Sequence, residues 1–114
     1  MKRGEVWLVD FDPALGDEIR KTRPAVVLSS DMLGKLRLKV VVPITSWQDK
    51  FADNSWMVLL VSTAKNGLMN DSVADTLQVQ SVAHERFQKR LGMVEPQILD
   101  EILEALAVLL EFPF

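Results

Sequence analysis

The segment that decides the fold is Arg20-Lys21-Thr22-Arg23-Pro24-Ala25-Val26-Val27-Leu28-Ser29. It is polar and mostly basic up to Arg23, and Pro24 begins a short apolar run that is typical of a buried strand. Proline is tolerated at the first position of a strand, because that residue need not donate to the ladder. The segment therefore predicts a strand over residues 24–29, with Arg23 held where a long loop joins it.

A second apolar segment, Val40-Val41-Val42-Pro43-Ile44-Thr45-Ser46, ends in two hydroxyl side chains. It predicts a strand over residues 38–44, and Pro43 near its end favours an edge position or a bulge. Arg23 and Thr45 thus both lie at the end of a strand, where backbone holds them in place. A guanidinium matches the geometry of phosphate and a hydroxyl can donate beside it, so the pair is a candidate phosphate site.

The rest of the chain predicts a small barrel-like sheet closed by one helix. Further strands are expected over residues 4–11, 56–61, 72–82 and 91–94, with one capped helical turn at 30–34 and a short helix at 84–89. Pro96 starts a terminal helix with apolar residues at three- and four-residue spacings. The fold class is therefore mainly β with a C-terminal helix (α+β). Residues 12–22 form a long loop, which is often a functional feature.

Composition limits the function classes. The 114 residues predict a single domain over 1–114, and the absence of cysteine excludes disulfides, thiolate metal ligands and cysteine nucleophiles. There is no long apolar run, so we expect a soluble cytoplasmic protein without a membrane span. The net charge is -3, but residues 1–50 carry +2 and residues 51–114 carry -5. A local basic surface near Arg23 is compatible with this asymmetry.

At this point several segments together resemble one family, the MazF/PemK toxins of bacterial toxin–antitoxin modules. The matching segments are Gly4-Glu5-Val6-Trp7, Lys21-Thr22-Arg23-Pro24-Ala25-Val26-Val27, Pro43-Ile44-Thr45-Ser46, Gly67-Leu68, Asp71-Ser72-Val73 and Arg90-Leu91-Gly92. The resemblance implies an SH3-like small barrel of the MazF/CcdB type and a homodimer. It also implies a metal-independent, cofactor-free and sequence-selective endoribonuclease acting on single-stranded RNA. The implied partner is a cognate antitoxin whose acidic disordered tail covers the basic groove.

The resemblance also assigns roles to individual residues. The family's catalytic arginine and threonine fall on Arg23 and Thr45. Its substrate-contacting glutamine in the fifth strand falls on Gln78, and its acidic residue in the first long loop falls on Glu18. Neighbours of these positions complete the substrate-binding candidates: Lys21, Ser46 and Trp47.

One departure from the family pattern concerns the segment around Gln78. Relatives commonly carry an acidic residue just before that glutamine and an arginine two positions after it. Here those positions hold Leu77 and Gln80. A variant mechanism that uses that neighbourhood in catalysis is therefore excluded.

The chemistry implied is attack of the ribose 2′-hydroxyl on its own phosphate, giving a 2′,3′-cyclic phosphate and a 5′-hydroxyl. Arg23 would stabilise the developing charge and donate a proton to the leaving oxygen, and Thr45 would add a fixed donor. Because arginine stays protonated in proteins, Arg23 is not the base. The base is either Glu18 or the substrate's own phosphate oxygen.

Each assignment has a simpler alternative. Arg23 would instead form a surface ion pair with Asp17 or Glu18, Thr45 would be an ordinary strand residue, and Gln78 a polar residue at a sheet edge. Trp47 and Phe51 either stack on unpaired bases or pack internally. His84 is expected to be a surface residue.

Two rival functions use the same fold. One is a gyrase-poisoning, CcdB-like toxin, whose relatives act through an aromatic–glycine–aliphatic tail. This chain instead ends in Glu111-Phe112-Pro113-Phe114. The other rival is a catalytically silent binding module.

Overall fold

The computed structural model describes residues 1–113, which form a mainly antiparallel β structure with one C-terminal α-helix, as the sequence predicts. The elements are β1 (Glu5–Asp10), β2 (Thr22–Val27), β3 (Leu38–Ser46), β4 (Met57–Leu60), β5 (Ser72–Asp75), β6 (Gln80–Ala83), β7 (Phe87–Met93) and α1 (Pro96–Leu109).

The strands follow the order β4-β5-β3-β2-β1-β7, and β6 pairs with β3 beside this path. The pairing is antiparallel throughout. Within residues 1–113 strand pairing does not close the sheet, since β4 and β7 end the path. The helix packs against β4, giving a small barrel-like fold.

Apolar side chains bury both faces of the central strands. One cluster lies under the helix and includes Val6, Val26, Val42, Ile44, Leu60, Leu99 and Ile102. The other lies on the opposite face and comprises Val9, Phe11, Ala25, Val27, Val41 and Val82, with Ile19 of the β1–β2 loop and the edge-to-face pair Trp7–Phe87 packed against it. The central strands are thus the middle layer of the molecule.

Pro43 lies on a central strand and not on an edge strand, but it is not fully paired, as the sequence predicts. It is fully buried and pairs with Ala25 of β2. On its other side β3 changes partner, from β6 at Val41 to β5 at Ile44. The missing N–H of proline therefore costs little, because the ladder is already interrupted at this point.

The strand expected over residues 72–82 is in fact two strands separated by a 3₁₀ turn at Thr76–Gln78. The turn forms because the carboxylate of Asp75 accepts the N–H of Leu77 at 3.1 Å. Gln78 consequently lies in a turn rather than in a strand.

The helix expected over residues 84–89 is a single 3₁₀ turn at His84–Arg86, and β7 begins at Phe87 rather than at Leu91. Pairing with β1, through two register shifts, outweighs the weak helical pattern. The described chain therefore has seven strands where five or six were expected.

Glu5 is a buried carboxylate that joins the start of β1 to β7. It accepts hydrogen bonds from the Lys2 N–H at 2.6 Å, from the Trp7 indole at 3.1 Å and from Arg90 Nε at 2.7 Å. Burial by itself raises the pKa of Glu5, but the bonds from Lys2, Arg90 and Trp7 outweigh it and lower the pKa to about 2. The ionised carboxylate is thus part of the folded structure.

None of the helices described within residues 1–113 has the length and apolar character needed to cross a membrane.

Candidate active site

The candidate site opens where β2 and β3 separate. Their pairing runs from Val27↔Val41 to Ala25↔Pro43 and stops there. Continuing the same register by two residues places Arg23 opposite Thr45. Because β3 turns away to pair with β5 from Ile44 onward, a gap opens between these two side chains.

The gap is a cavity of about 370 Å³ that contains both residues. It is lined by Leu8, Arg23, Pro24, Ile44, Thr45, Ser46, Gly67, Leu68, Met69, Asn70, Ser72, Lys89 and Leu91. The lining holds two cations and no carboxylate, so the field inside it favours an anion. Arg23, Thr45 and Ser46 are therefore brought together.

Arg23 is half-buried at the second residue of β2. Its Nε donates to the carbonyl oxygen of Arg20 at 3.1 Å, which fixes the plane of the guanidinium. Among residues 1–113 no carboxylate lies within salt-bridge distance of it, so the alternative of an ion pair with Asp17 or Glu18 is not formed. Its terminal N–H groups remain available for a ligand.

Thr45 is the second-last residue of β3 and pairs with Val73 of β5. It is half-buried, and Ser46 after it is exposed. No side-chain hydrogen bond engages the Thr45 hydroxyl within the described residues. The sheet fixes the backbone of Thr45 while its hydroxyl stays free to donate.

Lys89 is the site residue that sequence reasoning missed. It lies on β7 opposite Leu8, and Leu8 in turn lies opposite Pro24 on β2. Lys89 and Leu91, two residues apart on one strand, both line the cavity. Residues 87 to 91 alternate between the two faces of a strand, so Lys89 and Leu91 share one face. The helix expected over residues 84–89 conceals this alternation, and a strand starting at Phe87 would have revealed Lys89.

The far wall of the cavity is a tightly held loop. Asn66 is buried, and its side chain accepts from the N–H groups of Thr63 and Leu68 and donates to the carbonyl of Val61. Gly67 has φ +70°, and a Cβ there would lie 2.1 Å from the carbonyl oxygen of Leu91. Only glycine allows this approach, so the loop is positioned against β7.

Glu18 and Lys21 lie outside this cavity. Glu18 accepts the N–H of Leu15 at 2.8 Å and lines a separate cavity of about 160 Å³ beside Arg86. Lys21 is exposed with φ 68°, and its N–H donates to Asp12 Oδ1 at 3.0 Å. Within one chain neither residue meets Arg23 and Thr45.

Gln78 also lies outside the cavity, where it holds the β1–β2 loop. Its Oε1 accepts the N–H of Ile19 at 2.9 Å, and its Nε2 donates to the carbonyl of Asp17 at 2.9 Å. Both ends of the amide are thus engaged with loop backbone. This contact positions the loop that carries Glu18.

The two loop aromatics are half-buried and do not line the cavity. The indole of Trp47 donates to Asp49 at 3.1 Å, and the ammonium of Lys50 lies 5.7 Å from the centre of the Phe51 ring. His84 is exposed, as expected. Within the described residues no cluster of His, Asp and Glu side chains could hold a metal ion.

Comparison with known proteins gives four findings. The family model of the PemK-like, MazF-like toxin of type II toxin–antitoxin systems matches residues 2–110. The chain is similar to Endoribonuclease MazF9 of Mycobacterium tuberculosis, with 37% identity over 97% of either chain. Its fold is similar to that of MazF from Deinococcus radiodurans, with a TM-score of 0.82 at 23% identity over 98% of this chain and 97% of that one.

A further solved structure shows an endoribonuclease from a mycobacterial species in complex with its cognate antitoxin. Its TM-score is 0.79 at 18% identity, over 100% of this chain and 98% of that one.

Proposed function

Because the chain belongs to the PemK-like, MazF-like toxin family of type II toxin–antitoxin systems, we propose that it is a toxin that cleaves single-stranded RNA as an endoribonuclease. The observation that carries this proposal is the cavity where Arg23, Thr45 and Lys89 meet without any carboxylate. A phosphodiester is the anion that such a set of donors fits. The name of the similar MazF9 protein supports the same activity.

We assign the stabilisation of the phosphoryl oxygens to Arg23 and Thr45. Cleavage by 2′-hydroxyl attack gathers negative charge on these oxygens, and fixed donors stabilise that charge more than they stabilise the substrate. Arg23 suits this role because Arg20 holds its plane while its terminal N–H groups are unpaired in the described chain. It also donates a hydrogen bond to the departing 5′-oxygen, which takes its proton from the phosphoryl oxygen that accepted the 2′-hydroxyl proton, so Arg23 stays protonated throughout.

We assign proton acceptance from the 2′-hydroxyl to a non-bridging oxygen of the substrate phosphate. Glu18 is the other candidate, but within one chain it lines a different cavity. The variant Glu18→Gln separates the two. Unchanged kcat would support the phosphate oxygen, whereas loss of kcat with RNA binding retained would transfer the role to Glu18.

Lys89 would bind the phosphate next to the scissile one. It lies two strands across from Arg23, a span of roughly 10 Å at the usual strand spacing. Successive phosphates of an extended strand fall within such a span. Ser46 would assist Thr45, whereas Gln78 and Lys21 would shape the loop that borders the RNA.

The partners proposed for the whole molecule are a second copy of the chain and a cognate antitoxin. An acidic disordered antitoxin tail would compete with RNA for the cavity, because its carboxylates fit the same cations. The fold similarity to an endoribonuclease solved in complex with its cognate antitoxin supports this proposal.

The test is cleavage of a mixed-sequence single-stranded RNA in excess EDTA by the wild type and by Arg23→Ala. Arg37→Ala is the matched control, since Arg37 is exposed and lies outside the cavity. We expect cyclic phosphate and 5′-hydroxyl ends from the wild type and the control only. Absence of cleavage by all three would contradict the proposal and direct attention to gyrase binding or to a silent binding module.

A further inference from the structure

Lys39 is a buried cation with no counter-ion. Its relative exposure is 7%, whereas the other lysines of the described chain are exposed. Among residues 1–113 no hydrogen bond or salt bridge engages its ammonium group. Removing an unpaired ammonium from water is costly, so such a residue needs either a route to solvent or a ligand.

The ammonium of Lys39 opens into a second cavity. Within the described residues, every side-chain nitrogen or oxygen sealed from solvent has a hydrogen-bond partner. Since the Lys39 ammonium has none, it must reach the open space that the residue lines. That space is a cavity of about 440 Å³ lined by Met1, Lys2, Asp31, Gly34, Leu36, Lys39 and His84.

The lining of this cavity favours an anion. Lys2 supplies a second ammonium, and the imidazole of His84 can donate a hydrogen bond. Asp31 is the one lining carboxylate, and it is already engaged, because its Oδ1 accepts the N–H of Arg3 at 2.8 Å. It is not within salt-bridge distance of Lys39.

The cavity also has room and apolar surface beyond the cations. Leu36 and Met1 contribute apolar residues to the lining, here called the apolar wall, and Gly34 also lines the cavity. A volume of about 440 Å³ falls within the range of sites for small organic ligands.

We propose that this cavity, here called the Lys39 cavity, binds a phosphate group, supplied either by a mononucleotide or by inorganic phosphate. It is separate from the Arg23–Thr45 cavity, with which it shares no lining residue. Lys39 and Thr45 lie six residues apart on β3, roughly 20 Å along the strand. The proposal therefore does not depend on the proposed RNA cleavage.

The test is a titration of the full chain, followed by amide NMR, with inorganic phosphate in one arm and adenosine monophosphate in the other. In the wild type we expect saturable shifts at Lys2, Gly34, Leu36 and His84 in at least one arm. Lys39→Met keeps the apolar stem and removes the charge, and should weaken binding at least tenfold. Lys35→Met, an exposed lysine outside the cavity, should leave binding within twofold.

The two arms identify the source of the phosphate. Tighter binding of the mononucleotide would assign the apolar wall to a nucleoside, and equal binding would assign the cavity to phosphate alone. Absence of saturable shifts in both arms, shifts confined to the Arg23–Thr45 cavity, or equal affinity of Lys39→Met and the wild type would overturn the proposal.

Thermal unfolding provides a second readout. The Tm without ligand reports any folding defect of the variant, and the change in Tm on adding ligand reports binding. In phosphate-free buffer we expect Lys39→Met to have a Tm close to that of the wild type, because the ammonium reaches open space and makes no ion pair or hydrogen bond within the described residues. The ligand that binds should raise the Tm of the wild type more than that of the variant, in which only the Arg23–Thr45 cavity is intact. RNA cleavage should be unchanged in Lys39→Met.

Discussion

Two arginines in this molecule are used in opposite ways. Arg90 donates to the buried carboxylate of Glu5 at 2.7 Å, within a cluster that also engages Lys2 and Trp7. Among residues 1–113 the Arg23 side chain hydrogen-bonds only to the backbone carbonyl of Arg20, and Arg23 lines a cavity without carboxylates.

We interpret the difference as one between residues that stabilise the fold and residues whose donors are available to a ligand. A guanidinium bound to a buried carboxylate lowers the free energy of the folded chain and is unavailable for other contacts. A guanidinium fixed by one backbone contact contributes little to stability but is preorganised for phosphate. The comparison predicts that the two regions respond in opposite ways to substitution.

The largest effect is expected for Arg23→Ala. Loss of one preorganised donor should lower kcat for RNA cleavage by about 10²- to 10³-fold. The free energy of unfolding, measured in urea, should change by less than about 0.5 kcal/mol, because no ion pair is broken. A large loss of stability would show that Arg23 belongs with Arg90 as a structural residue.

The reverse pattern is expected for Glu5→Gln. The low pKa of Glu5, about 2 against an ordinary 4.5, corresponds to a stabilisation of roughly 3 kcal/mol. Because the folded state binds the Glu5 proton more weakly than the unfolded state, this stabilisation is complete above pH 4.5 and is lost as the pH falls towards 2. Urea unfolding at several pH values should show this loss in the wild type and not in the variant.

Glu85→Gln is the matched control for Glu5→Gln. Glu85 also pairs with an arginine, Arg37 at 3.2 Å, but both side chains are mostly exposed. Exposed ion pairs of this kind contribute about 0 to 1 kcal/mol to the free energy of unfolding. An equal loss in both variants would contradict the structural role assigned to Glu5.

A smaller effect is expected for Lys89→Met. Loss of one phosphate contact should raise KM about tenfold with little change in kcat, since a flanking contact stabilises ground and transition states alike. The slope of log binding against log salt should fall by about 0.7, the value for one contact to a single strand. Lys35→Met should leave both quantities unchanged, and a changed slope there would remove the special role of Lys89.

The smallest effect is expected for Trp47→Ala. Because Trp47 does not line the cavity, KM and kcat should change by less than about threefold. Stacking on a base would contribute about 1 to 3 kcal/mol. A rise in KM above tenfold would therefore place Trp47 in the RNA-binding surface and extend the ligand region beyond the cavity.

The strands that could be predicted from the sequence are those whose buried runs end in proline or turn residues. Pro24 and the two apolar runs located β2 and β3, and Pro96 located the start of the helix. The segment 72–94 was mispredicted, because the turn after Asp75 depends on one side-chain bond to Leu77. The assignment of β7 depends on pairing with β1, a partner some eighty residues away.

For the candidate site, sequence reasoning located the two residues at strand ends but not their neighbours. Arg23 and Thr45 line one cavity because they follow the paired residues Ala25 and Pro43 at the point where β2 and β3 separate. Glu18, Lys21, Trp47 and Gln78 depend on loop geometry, which spacing does not determine. The Gln78 amide illustrates this, since it is engaged by the Asp17 and Ile19 backbone.

The two-sided burial of the central strands has a consequence for how the chain finds its alignment during folding. In most sheets a slip by one residue exposes the apolar side chains, and the hydrophobic pattern therefore forbids it. Here Trp7 and Val9 on one face are as apolar as Val6 and Leu8 on the other, so the pattern alone would tolerate the slip. Glu5 breaks this degeneracy, because only the native alignment brings its carboxylate to Arg90. The Glu5 carboxylate therefore favours the native register of β1 against β7.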